Sequence, residues 1–559
     1  MRPAINQTKW CYKLKNDVNR VFRSPNFALS LFLFSLIYLI SRGIGFRILS
    51  QGADSAGFLE LVKMPFPNLS LSNSALASHG LGLMNTIGYS ADEICRFVAN
   101  YEPETVSHWP YHPYLLSVLL GGLAKVPGTN ALSISSLSIA ASYVLGLYVI
   151  YLYMRRKKVR QKIIIFWVLF LTISPPVFES LRGQIYFDRL FMGPGIGLVI
   201  GTLILYENVN DKLGKRILYF SLPAALLISD RTTFSAALVL MILPLSLAIS
   251  KRHFLNSMPF LLRTIPFGLV ALAWYLIWGK FINNPFYSAQ SSVLDLLSIE
   301  NMQNSFHRLS GYQFQYFLTF LGTILLFIFL STLNVRSIPL LILVLVPSIL
   351  VDVGGAQLNG YLTHYHQLYI PILLSLATVG LTNKQKNLGS KFSFSRVFSK
   401  TIFLLSILAT IVFWISNSTY SGSVNTFVGK IGQAYGLLPA DREGMLYLDN
   451  QLSPLATKFA EHEIRSISTL ESLMPFVVDR TNYVVSYFPA GVGMADAVLA
   501  NYDNGQLLPL VYPYGEPSSG VTIPVSECVQ AVLDQNYRRI MEIDRGSYKT
   551  LLYLRNGVK

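Results

Sequence analysis

Long apolar blocks separated by short basic tracts run from residue 26 to residue 417 of this 559-residue chain. The first block, 26–48, is long enough to span a bilayer. Further spans are predicted near 131–153, 163–178, 187–206, 217–230, 232–250, 264–282, 313–333, 336–352, 365–382 and 401–417. That makes about eleven membrane-spanning helices, since about 20 apolar residues cross a hydrocarbon core roughly 30 Å thick. The apolar piece 113–126 is shorter and suits a helix lying at the membrane surface. Asp230-Arg231 interrupts one continuous apolar run, so 217–250 reads as a helical hairpin with both charges at its outer tip. From residue 418 the pattern changes, and no later segment is apolar enough to span. Short β-rich runs at 483–488 and 550–554 alternate with helical stretches at 452–463 and 526–536. About 140 residues suffice for a domain with its own core, and the alternation predicts a small α/β layer structure. The expected fold is therefore mainly α: a polytopic transmembrane helical bundle, 26–417, followed by an α/β domain, 418–559.

Composition agrees with the pattern. The chain is 52% hydrophobic and only 13% charged, against about 25% charged in soluble domains, and its mean hydropathy is +0.44. The net charge of +16 raises the question of nucleic acid. Its distribution answers it: Lys and Arg cluster in tracts between apolar blocks, where they orient spans, so no nucleic-acid partner is expected. Arg2, Lys9, Lys13, Lys15, Arg20 and Arg23 face one acid, Asp17, and place the basic N-terminus, 1–25, in the cytoplasm. With 113–126 at the surface, the tract from Arg155 to Lys162 and the later tracts at 212–216, 251–252, Arg336 and 384–400 all reach that same side. The long first loop, 50–112, and the C-terminal α/β domain then lie outside the cytoplasm. The first block lacks a small-residue cleavage site and reads as an uncleaved anchor, which fits a prokaryotic plasma (inner) membrane best. Cys11, Cys95 and Cys528 form neither a metal-ligand spacing nor a disulfide framework. Cys95 and Cys528 both fall in outer segments, which leaves a bridge between them open.

On this topology the chemically versatile side chains gather at the outer face. Asp54 follows the first span, and His108 and His112 close the first loop. Glu179, Arg182, Asp188 and Arg189 lie in the next loop, Asp230 and Arg231 at the hairpin tip, and His364 and His366 before the span 365–382. Ionisable groups at the mouth of a helical bundle are costly unless paired or hydrated, so a site is the default expectation. A carboxylate there could take the proton of an attacking hydroxyl, and arginine forks could hold a phosphate. Together they suit an anionic, sugar-bearing substrate. Each group also has a plainer role. Asp54 could be a loop acid or helix N-cap, Asp188-Arg189 a local ion pair, and Asp230-Arg231 a pair that stops the run from inserting as one helix. The pairs His108/His112 and His364/His366 have spacings that could seat a metal, although packing and hydrogen bonding weigh more heavily.

The layout, read with its short motifs, resembles the GT-C superfamily of membrane glycosyltransferases. The features that carry the resemblance are the early acid in Gln51-Gly52-Ala53-Asp54, the loop end Tyr111-His112-Pro113-Tyr114-Leu115-Leu116, and the surface helix, span and basic tract that follow. The similarity is to the branch containing protein O-mannosyltransferases and the lipid A aminoarabinose transferase. That branch often carries a Lys-Pro-Pro-Leu-like motif where this chain has His112-Pro113-Tyr114-Leu115. The departure leaves the family's phosphate-binding role there to His112, with Arg182, Arg189 or Arg231. Ser174-Pro175-Pro176 followed by Asp188 resembles the branch's acid-bearing second loop. The run 364–371 and the C-terminal motifs 537–540 and 551–555 resemble a group of uncharacterised bacterial multi-spanning proteins of the same superfamily. The resemblance implies transfer of a sugar from a polyprenyl-phosphate donor to a lipid, glycan or protein acceptor on the outer face. Asp54 would be the base of a single inverting displacement, and Asp188 would assist in the acceptor or metal site. His112, Arg182, Arg189, Asp230, Arg231, His364 and His366 would bind substrate. Metal dependence varies within the superfamily, which leaves a divalent cation open as a cofactor. The rivals are a transporter or flippase of a lipid-linked or anionic solute, and a non-catalytic scaffold. Transporters place polar groups on broken helices near the midplane, often with internal repeats; no repeat is visible here.

Overall fold

A computed structural model describes residues 62, 90–100, 114–127, 129, 131–182, 186–249, 257–281, 314–334, 336, 338–343, 365–387, 454–455, 457–458, 461–469, 484–488, 492–503, 506–507, 519–544 and 549–559. Most of these are helical. In order come α1 (Ala91–Asn100), α2 (Tyr114–Ala124), α3 (Ala131–Arg156), α4 (Gln161–Ile173) and α5 (Pro175–Arg182). A 3-10 turn, Phe187–Phe191, leads into α6 (Met192–Glu207), followed by α7 (Lys212–Ile228), α8 (Asp230–Ile249), α9 (Met258–Phe281) and α10 (Phe314–Thr332). A second 3-10 turn, Tyr365–Leu368, precedes α11 (Ile370–Asn387). The expected spans at 26–48 and 401–417, and most of 336–352, lie outside the described residues.

Among the described residues four helical segments are long and apolar enough to cross a membrane: Ser133–Arg156, Phe187–Glu207, Arg231–Ile249 and Met258–Ile277. This is the architecture of a helical membrane protein. α9 shows it most directly, because Leu262, Leu269, Val270, Leu276 and Ile277 are exposed. An apolar outer face of that kind belongs against lipid chains rather than water. The expected span 163–178 is not one helix. α4 ends at Ile173, and Pro175-Pro176 open α5 instead. Proline lacks the N–H that would continue the first helix but is tolerated in the opening turn of the second. α2 has 11 residues, about 16 Å at 1.5 Å per residue, too short to cross.

α6 is the central helix. Gly193, Gly197 and Gly201 repeat at four-residue spacing along it, and all three are buried. Small residues at that spacing let membrane helices approach closely. A Cβ at Gly193 would fall 2.6 Å from the carbonyl oxygen of Ser142 on α3. Glycine is therefore what allows the α3–α6 contact.

The basic tracts meet at one end of this bundle. Arg156 pairs with Asp211 at 2.7 Å, and Lys157 pairs with Glu207. Arg263 donates to the Val209 carbonyl at 2.7 Å. The Arg336 carbonyl accepts from Ser246 Oγ at 2.5 Å, and its guanidinium donates to the Tyr206 hydroxyl. The C-terminal ends of α3, α6, α8 and α10 thus lie beside the N-terminal ends of α7 and α9. Asp211 also caps α7, accepting from Gly214 N at 2.9 Å. Burial acts to raise its carboxyl pKa, but the hydrogen bonds from Gly214 and Arg156 hold it below the usual value.

The C-terminal described residues form a mixed sheet with strands β1 (Ser466–Thr469), β2 (Val484–Tyr487), β3 (Ala497–Asp503), β4 (Gln506–Leu507), β5 (Tyr537–Asp544) and β6 (Lys549–Arg555). The order is β2-β1-β3-β6-β5, with β4 paired to β3. β1 runs parallel to β2 and β3, whereas β6 runs antiparallel to β3 and β5. Helix α12 (Ser519–Asn536) packs on β5, and α1 packs on α12. β2 and β6 coincide with the two β-rich runs of the sequence, and α12 contains the expected helical stretch 526–536.

Candidate functional site

Asp188 lies in the 3-10 turn at the head of α6 and is fully buried. Its Oδ1 accepts from Ser229 Oγ at 2.6 Å, and its Oδ2 faces Arg231 Nη1 at 3.7 Å. Ser229 stands between α7 and α8 and caps α8. Its hydroxyl accepts from Thr232 N at 3.1 Å, while Ser229 N donates to Thr232 Oγ1 at 3.0 Å. This reciprocal cap is the local reason the hairpin turns at Ser229 rather than continuing as one helix. It also aims the N-terminus of α8, the positive end of its dipole, at Asp188. A carboxylate buried there is compensated by a hydroxyl, a helix end and a guanidinium. The Arg231 side chain keeps 29% of its surface exposed, so it reaches from the buried acid toward open space.

Arg189 points to the other side of the turn and is buried as completely as its neighbour. It donates to the Ser180 carbonyl and to the hydroxyl of Tyr143. The Tyr143 hydroxyl donates to Gln367 Oε1 at 2.8 Å, and Gln367 Nε2 donates to Ser180 Oγ at 2.6 Å. Gln367 sits in the second 3-10 turn, which packs against the turn of Asp188 and the start of α8. Next to it, His366 is buried with Nδ1 2.8 Å from the Tyr369 hydroxyl. The structure thus gathers Asp188, Arg189, Arg231 and His366 from three segments of chain. Asp54, His112 and His364 lie outside the described residues, as do the side chains of Arg182 and Asp230.

Asp188 and Arg189, expected in a loop at the mouth of the bundle, are buried among the described helices. Ser142 donates to the Leu190 carbonyl at 2.6 Å and accepts from Gly193 N at 2.9 Å. Ser142 precedes Arg156, at the basic end, by about 14 residues, or about 21 Å of helix. The cluster is therefore enclosed within the bundle, about 21 Å of helix from its basic end. Irregular backbone at such depth is tolerated only where protein or a cavity surrounds it, and both 3-10 turns meet that condition.

Sequence reasoning missed Tyr143, Ser180, Ser229 and Gln367, which supply most of the cluster's hydrogen bonds. Each is an uncharged polar residue inside or beside an apolar run. Ser180 beside Glu179, Ser229 directly before Asp230-Arg231, and Gln367 inside the His-Tyr-His-Gln run had charged or titratable neighbours to mark them; Tyr143 had none. Among the described residues, no group of three or more His, Cys, Asp or Glu side chains is placed to hold a metal ion.

No known protein-family model matches this chain, and no curated protein sequence matches it either.

Proposed function

We propose that this protein is a membrane glycosyltransferase that takes a sugar from a polyprenyl-phosphate carrier and passes it to an acceptor at the non-cytoplasmic face. The observation that carries the proposal is the convergence of Asp188, Arg231, Arg189 and His366 inside the bundle, nearer the end opposite the basic tracts. By the positive-inside rule that opposite end faces away from the cytoplasm. The packing of α1, from the first loop, on α12 supports placing that loop and the C-terminal sheet on one side of the membrane. The resemblance to GT-C enzymes supplies the substrate class.

In this scheme Arg231 holds the carrier phosphate. Its partly exposed guanidinium is braced by Asp188, and a guanidinium is the side chain best matched to a phosphate. Asp54 would take the acceptor's hydroxyl proton as the acceptor oxygen attacks the sugar carbon and the lipid phosphate departs. Asp188, closed in by Ser229 and Arg231, positions the arginine. The Tyr143–Gln367–Ser180–Arg189 network fixes the floor beneath. The test is binding of a polyprenyl phosphate and of the matching uncharged polyprenol by native mass spectrometry. Retention of the phosphate alone, weakened about tenfold or more by Arg231→Gln, is expected. Equal retention of both lipids would reject the proposal.

A second reading is favoured by the depth of the cluster. Two irregular turns packed together inside a bundle are also how transporters build a site, and a flippase for the same lipid would share the phosphate contact. Breakage of the sugar–phosphate bond separates the two.

A further inference from the structure

Helix α1 presents Ala91, Cys95 and Ala99 at four-residue spacing, a single face. Ala91 and Cys95 are packed against the apolar core. Gly493, in the turn before β3, lies against the Ala99 backbone with no room for a Cβ. The same face packs on α12, whose Cys528 stands one residue before the fully buried Val529. Cys95 and Cys528 are both partly buried thiols on the two packed helices, near enough for Cys528 to raise the Cys95 thiol's pKa beyond what burial alone does. These two thiols, about 430 residues apart in sequence, are brought together on one helix–helix seam.

We infer that Cys95 and Cys528 are a disulfide-forming pair that ties the first-loop helix α1 to the C-terminal sheet domain. The oxidant is a disulfide, whether carried by a thiol–disulfide oxidoreductase or by a small molecule. One cysteine sulfur attacks it as thiolate, breaking its S–S bond and forming a mixed disulfide; the first leaving sulfur takes up a proton. The second cysteine then displaces the remaining sulfur. Two protein thiols are oxidised, and one external disulfide is reduced to two thiols. Non-cytoplasmic compartments supply such oxidants. The bridge closes a very long loop, so it constrains the unfolded chain strongly. It rests on the α1–α12 packing and is independent of the transferase proposal.

The test uses full-length protein in lipid nanodiscs, incubated with oxidised glutathione, alkylated with a polyethylene-glycol maleimide and run without reductant. Wild type carries Cys11, Cys95 and Cys528 and is expected to lose two of its three adducts on oxidation. Cys11→Ser should lose both of its remaining adducts, and dithiothreitol should restore them in each protein. Mass spectrometry of oxidised wild type should find the Cys95 and Cys528 peptides linked within one chain, a readout that needs no variant to fold. Glutathione adducts at these positions without the linked peptide would overturn the inference. So would a bridge to Cys11 or a covalent dimer.

Discussion

The pair Asp188–Arg231 offers the sharpest energetic prediction. At 3.7 Å, two unit charges attract by about 4.5 kcal/mol at an effective dielectric of 20 and by about 1 kcal/mol in bulk water. Asp188 is fully buried, but Arg231 keeps 29% of its side-chain surface, so the coupling should fall between these limits, at about 2 kcal/mol. Asp188→Asn keeps an acceptor for Ser229 while removing the charge, and Arg231→Gln removes the opposite charge. Each single variant should be destabilised by about 2 kcal/mol or more, because it strands the other partner near the bundle interior. The double variant should be about 2 kcal/mol more stable than the sum of the singles implies. The assay is a double-mutant cycle from unfolding of the purified protein in mixed micelles titrated with sodium dodecyl sulfate, followed by helix content. Additivity within about 0.5 kcal/mol would mean that the two charges do not interact, and the bracing of Arg231 by Asp188 would be wrong.

Other consequences follow from single contacts. Gly193→Leu places a side chain against the Ser142 carbonyl and should abolish the monodisperse folded species in size-exclusion chromatography, with Gly193→Ala intermediate in its thermal midpoint. Asp496 Oδ2 accepts from Arg465 N at 2.7 Å and Ser466 N at 3.1 Å. Asp496→Ala should therefore accelerate amide exchange at both positions at a cost of about 1–2 kcal/mol. Burial, followed by the neighbouring Cys528 thiol, pushes the Cys95 thiol up to about 12 from an ordinary value of 9.0. A thiol ionises more readily unfolded than folded under these conditions, so docking of α1 on α12 should be independent of pH below about 9. It should weaken from there toward about 12. In reduced protein, Cys95 alkylation should keep rising through that interval, whereas a plateau near pH 9 would contradict the burial.

How much of this was legible in the sequence depended on which force decided each feature. The spans around α3, α6, α8 and α9 were readable because crossing a bilayer is a matter of apolar length, which composition records directly. The span expected at 163–178 failed because local backbone chemistry at Ser174-Pro175-Pro176 outweighs the average hydropathy of the window. The charged members of the cluster were visible as oddities: Asp188, Arg189, Arg231 and His366 stand out against apolar surroundings. Their depth was not, since nothing in the chain says that the 3-10 turn sits beside the middle of α3; the Ser142–Leu190 and Ser142–Gly193 hydrogen bonds establish that. Tyr143 was silent because a hydroxyl in an apolar run carries no signal until the fold supplies its partner, and Ser180 was overshadowed by its charged neighbours Glu179 and Arg182. The proximity of Cys95 to Cys528 depends on packing across most of the chain length, beyond the reach of any local pattern.

The most direct measurement is single-turnover release of sugar and lipid phosphate from radiolabelled polyprenyl-phosphate sugars by the protein in nanodiscs, with a mixed pool of lipid and glycan acceptors. Wild type is expected to cleave at least one donor. Asp54→Asn is expected to bind that donor and leave it intact, and Arg231→Gln to bind it about tenfold or more weakly. Donor moved between leaflets with its sugar–phosphate bond unbroken, or a donor cleaved equally well by Asp54→Asn, would contradict the transferase proposal.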